Sequence, residues 1–175
     1  MARVPLQSEE SLPNQKDLIE RIKRERGGRL LNLYRVLLNS PAVAEGWLTL
    51  FTAIRQKSKL PDRYREIAIL RVALINGADY EYNAHVPFAL EAGMSQAQID
   101  ELPRWRAAKL LDEKDRAVLA YTDMMTRNVQ VPDEIFAPLK KFLDAQELLE
   151  LTATIGGYNL VSRVLEALQV DHEHR

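Results

Sequence analysis

Glu66, Tyr80, Glu81, Tyr82 and His85 are the densest set of chemically capable side chains in the sequence, and all fall within the stretch Pro61 to Gly93. Glu81 and His85 are four residues apart, so on a helix they share a face, with Tyr82 adjoining it and Tyr80 at the other edge. A carboxylate that accepts one imidazole N–H fixes the tautomer and raises the basicity of the other ring nitrogen. The set therefore suits proton transfer. His85 would be the acid or base, Glu66 or Glu81 its orienter, and Tyr80 or Tyr82 a donor to a developing oxyanion. A plainer reading makes Glu81–His85 an ordinary helical pair worth about 0.2–0.5 kcal/mol, with Glu66 bonded to Arg63 and the tyrosines packing. A third gives Glu66, Glu81 and His85 to a hard or borderline divalent ion. No metal-binding spacing as specific as H-E-x-x-H supports that third reading.

Two helices must carry these groups. Leu60-Pro61-Asp62 opens the first, with proline suited to its first turn. The run IAILRVALI that follows is apolar on every side except at Arg71, which predicts a helix buried from several directions. Asn76-Gly77 stops it, and Asp79 can cap a second helix from Tyr80 to Ala92, which Gly93 ends. If the two pack antiparallel, about ten residues lead from Glu66 to the turn and about eight from the turn to His85. At about 1.5 Å per residue they stand at similar heights. Pro87 is interior to the second helix and removes the bond to the Asn83 carbonyl, so a kink is expected around His85.

The remaining sequence reads as helix as well, about eight to ten helices in all. Gly27-Gly28 ends a helix that opens near Asn14. Ser40-Pro41 starts another that points Val43, Trp47, Leu50, Phe51 and Ile54 inward. Ser95 with Gln98, and Asp144 with Glu147, fit capping boxes, and Asp112 can cap a helix to about Arg127. We expect a flexible arm over residues 1–13, one all-α domain over 14–170 and a frayed tail over 171–175 holding His172 and His174.

The 175 residues suffice to bury about 70% of the unfolded chain's surface. With 46% hydrophobic and 28% charged residues and a net charge of −1, no polyanion-seeking surface is indicated, so no nucleic-acid partner is expected. The longest apolar run, Ile67 to Ile75, is short and interrupted by Arg71; no membrane partner is expected, and a cytoplasmic protein follows. There is no cysteine. That excludes disulfides, thiol nucleophiles and thiolate metal sites.

The stretch REIAILRVALINGADYEYNAHVPFALEAGMSQAQIDEL resembles the carboxymuconolactone decarboxylase family, which includes the AhpD-like alkylhydroperoxidases. The resemblance is strongest over Leu60 to Leu102 and extends loosely to GGYNLVSRVLEAL near the end. In the peroxidase branch the glutamate falls at Glu66 and the last histidine at His85. Its two cysteine positions become Ala78 and Glu81, and its middle histidine becomes Tyr80. Peroxide reduction needs a thiolate, so the resemblance points to the cysteine-free branch. It implies an AhpD-like all-α fold, self-association as a trimer or hexamer and, with no cofactor, acid–base chemistry of a lyase type on a small anionic molecule. Within it His85 is the acid/base, Glu66 its partner, and Glu81 and Tyr80 line the pocket. Tyr82, Arg63 and Arg71 are implied substrate contacts, with Arg63, Arg65 or Arg71 able to meet carboxylates.

Overall fold

Nine consecutive residues, Arg65 to Ala73, are buried, so the middle of the central helix meets protein on every side, as its apolar run, broken only at Arg71, requires. A computed structural model describes residues 2–173; His174 lies outside the described residues. Their elements are α1 (Lys16–Glu25), α2 (Asn32–Leu37), α3 (Pro41–Gln56), α4 (Asp62–Asn76), α5 (Asp79–Glu91), α6 (Gln96–Glu101), α7 (Glu113–Asn128), α8 (Asp133–Phe136) and α9 (Ala145–Leu168), with short 3-10 turns between some of them. No strand occurs among the described residues, and no helix among them is long and apolar enough to cross a membrane. The chain divides into two compact units, Ser58–Arg163 and a second made of the residues up to Lys57 with those from Val164 onward. The sequence reads 14–170 as one domain, because nothing in composition marks this division.

In the second unit, Gln7 N–H donates to the Arg35 carbonyl at 3.1 Å, and Arg35 Nε returns to the Gln7 carbonyl at 3.0 Å. Arg3 N–H reaches the Leu168 carbonyl at 2.8 Å. The segment that composition reads as a loose arm thus has backbone partners. So has part of the tail: Asn32 donates to Glu173 Oε1 at 2.8 Å and to the Asp171 carbonyl at 3.2 Å. On α3 the buried stripe is Ala44, Trp47, Leu48, Phe51 and Ile54. Val43 and Leu50, expected to face inward, are 52% and 45% exposed because they fall on the flank of that stripe.

The Ser58–Arg163 unit is built around α4. Arg63 holds Asp115 through two bonds of 2.9 and 2.7 Å, and Arg71 holds Asp123 through two of 2.5 and 3.1 Å. Both pairs are 52 residues apart in sequence. A constant offset means that α4 and α7 run parallel, clamped twice at points eight residues apart. Such a parallel pair needs a crossover, which α5 and α6 supply. Asp112 and Asp115 form the capping box of α7, and Ser95 and Gln98 that of α6. Asp115 therefore caps one helix while pairing with another.

Asp123 also accepts from the Trp105 indole at 3.2 Å. Its removal leaves the buried Arg71 guanidinium without its carboxylate. Asp123→Ala should lower the unfolding free energy by about 3–5 kcal/mol, and joint replacement by Arg71→Met and Asp123→Leu should recover most of that loss. Urea unfolding monitored by circular dichroism checks both.

Candidate functional site

Gly77 ends α4 in the left-handed conformation, φ 66° and ψ 30°, which a side chain would disfavour. Its reversal lets α5 return along α4, and Glu66 meets His85: Glu66 Oε2 lies 2.7 Å from His85 Nδ1. Glu66 is 2% and His85 5% exposed. The other Glu66 oxygen, Oε1, accepts from Arg65 Nε at 3.0 Å. His85 thus takes part in a bond between helices, and Glu66 bonds to Arg65, not Arg63.

Burial pushes the Glu66 carboxyl up, but the hydrogen bond and charge of His85 and the Arg65 guanidinium outweigh it and hold the group below its ordinary value. An ionised Glu66 can only accept, so the proton of this bond sits on His85 Nδ1. The tautomer that follows leaves Nε2 as the nitrogen that exchanges protons. The His85 ring meets Tyr158 of α9 edge-on at 5.0 Å between centroids and Phe88 at 5.6 Å. Glu81, 2% exposed, accepts from Ser162 Oγ of α9 at 3.0 Å.

Tyr80 is buried. Tyr82 is half-buried, and burial followed by the Asp100 charge raises its hydroxyl. Arg63 and Arg71 are not brought to His85. Each is committed to an aspartate of α7, so the expectation that they clamp a substrate carboxylate has no geometric support. Pro87 lies within a continuous α5 on its exposed side, one turn after an exposed Asn83. It therefore marks no opening of the helix toward the site. No group of three His, Asp or Glu side chains among the described residues is arranged to hold a metal ion. This removes the geometric basis for a Glu66, Glu81 and His85 metal centre.

Comparison with known proteins places this geometry. The carboxymuconolactone decarboxylase family matches residues 41–124. The matched segment contains both Glu66 and His85. A protein of unknown function from Agrobacterium tumefaciens, grouped with the antioxidant defence protein AhpD, is 26% identical with a TM-score of 0.73, covering 79% of this chain and 95% of its own. A variant of the debrominase Bmp8 bound to 2,3,4-tribromopyrrole superposes with a TM-score of 0.80 over 99% of this chain and 94% of its own, at 16% identity. The uncharacterized protein YdfG of Bacillus subtilis is 23% identical over 65% of this chain and 78% of its own length. The fold is thus AhpD-like and all-α.

Tyr158 and Ser162 lie outside the family-matched segment, and sequence reading gave neither a role. Their only signal was the loose resemblance of GGYNLVSRVLEAL. Arg65 stands in the sequence as one of three arginines that could meet a substrate carboxylate; it is bonded instead to Glu66 and Asp62.

The depressed Glu66 carboxyl fixes the sign of an acid effect. Its stabilisation is fully present above the ordinary carboxyl value of 4.5 and is lost as pH falls through its lower folded value. The unmodified protein should therefore lose more unfolding free energy between about pH 6 and about pH 3 than Glu66→Gln does. Urea midpoints measured across that range test this.

Proposed function

We propose that this chain is a thiol-independent acid–base enzyme of the carboxymuconolactone decarboxylase type, with His85 as the proton-transferring group and Glu66 as its partner. The observation that carries this reading is the buried 2.7 Å Glu66–His85 bond between two helices. A histidine held in one tautomer by an ionised carboxylate presents its other nitrogen to a substrate proton. The substrate class is a small organic acid, and the reaction is a decarboxylation or isomerisation. In either, His85 Nε2 takes a proton from carbon or returns one to an enolate. Glu81 and Tyr80, buried on the same helix as His85, line the site in this reading, with Tyr82 at its edge. A cytoplasmic setting belongs to the same proposal.

The test is turnover of a carboxylated muconolactone, followed by carbon dioxide release, with related lactone acids as alternative substrates. His85→Gln should lower kcat by about 10²–10⁴-fold, the usual contribution of a positioned acid or base. Turnover by His85→Gln at the parent rate would sink the assignment. In parallel, Glu66→Gln removes the anion that favours the charged imidazole, so the His85 titration followed by NMR should move to lower pH.

Self-association is the second part of the reading. Phe88 and Leu90 on α5 are 40% and 42% exposed close to His85 in sequence, and a subunit contact would bury them. Light scattering should give a trimer or hexamer mass, and Phe88→Glu with Leu90→Glu should reduce it.

A further inference from the structure

We infer that Arg65 is a positioning residue: it keeps Glu66 anionic whether or not His85 carries its second proton. This rests on the acid–base reading of His85. Side chains at adjacent helical positions do not face one another, yet Arg65 folds back so that its Nε reaches Glu66 Oε1 at 3.0 Å. Its Nη1 is anchored one turn earlier by Asp62 Oδ1 at 2.7 Å. The Asp62 side chain is 69% exposed, while those of Arg65 and Glu66 are 10% and 3% exposed. A line of alternating charge therefore runs inward from solvent: Asp62, Arg65, Glu66, His85.

The two oxygens of Glu66 are divided between these partners, Oε1 to Arg65 and Oε2 to His85. The division matters during a proton-transfer cycle. When His85 is an imidazolium, Glu66 has two cations beside it. When His85 has given up its Nε2 proton, a buried carboxylate with no other counter-charge would be neutralised by a proton from solvent; the carboxylic acid would then donate to Nδ1, and the ring proton would have to sit on Nε2. Arg65 is always charged, so it holds Glu66 ionised through both halves. Only Nε2 then changes its proton. Facing this line stand Asp62 and Arg65 from α4, His85 from α5 and the Tyr158 ring from α9, with Glu81 on the α5 face.

The decisive measurement is the pH titration of the Glu66 carboxyl carbon, labelled with carbon-13 and assigned by its absence in Glu66→Gln. In His85→Gln, which lacks the imidazolium, Glu66 should remain ionised at neutral pH. Adding Arg65→Gln keeps an N–H donor but removes the charge, and the Glu66 titration should move up by about 1–3 in pH. Arg65→Lys in the same background should leave it near its starting position. A Glu66 titration that Arg65→Gln leaves unmoved overturns the inference, as does one that Arg65→Lys moves as far as Arg65→Gln does. A purely structural arginine would change thermal stability without moving this carboxyl. The readout needs no substrate, so full turnover by His85→Gln would sink the acid–base reading and leave the Arg65 result standing.

Discussion

Glu66 puts a negative charge into a stretch of helix that is buried on every side, and the surrounding unit is arranged so that this charge is met. Removing a carboxylate from water costs several kcal/mol even after relaxation, and the cost is offset only by close, well-directed partners. Arg65 supplies one from the same helix. The second, His85, must come from elsewhere, which fixes where α5 lies and at what height. The 2.7 Å bond, the turn at Gly77 and the antiparallel pairing of α4 with α5 are thus one constraint seen at three scales. A slip of α5 by one residue would rotate His85 by about 100° around its axis and strand Glu66 without its imidazole.

The same logic governs the other charges of α4. Arg63 and Arg71 interrupt the apolar surface, and each is resolved by an aspartate on α7. The two clamps define the direction and register of α7, while Glu66 defines those of α5. Four ionisable side chains of one helix, counting Arg65, therefore specify how two neighbours pack. Buried ion pairs add little net stability over apolar packing, but a wrong register would leave unpaired charge inside. Their structural role here is selection among packings.

This division of labour explains which features were legible in the sequence. The caps at Ser95, Asp112 and Asp144 were readable because donor and acceptor lie within four residues. The meeting of Glu66 with His85 was readable because a helical hairpin with a short turn has one simple geometry. The partners of Arg63 and Arg71 were not, since an arginine in an apolar helix reads equally as a substrate clamp or as half of an ion pair. Only the path of α7, 52 residues on, decides between them. Val43 and Leu50 were misplaced for a related reason. Periodicity locates a stripe, but a residue on its flank is buried or exposed according to the width of what packs against it.

The site also joins parts of different standing. The Glu66–His85 pair lies on α4 and α5, inside the segment that matches the carboxymuconolactone decarboxylase family. The ring set edge-on to His85 and the hydroxyl bonded to Glu81 come from Tyr158 and Ser162 on α9, beyond that segment. A common scaffold can hold the pair in place while the groups around it differ, and substrate choice depends on those groups. Similarity to a debrominase and to a protein grouped with AhpD therefore carries the fold across but not the reaction. Without cysteine this chain cannot do thiol chemistry, and a carboxylate at Glu81, the position of a cysteine in the peroxidase-branch pattern, changes what the site can do. It replaces a group that attacks with one that accepts or donates a proton, and so strengthens the acid–base reading of its neighbour His85.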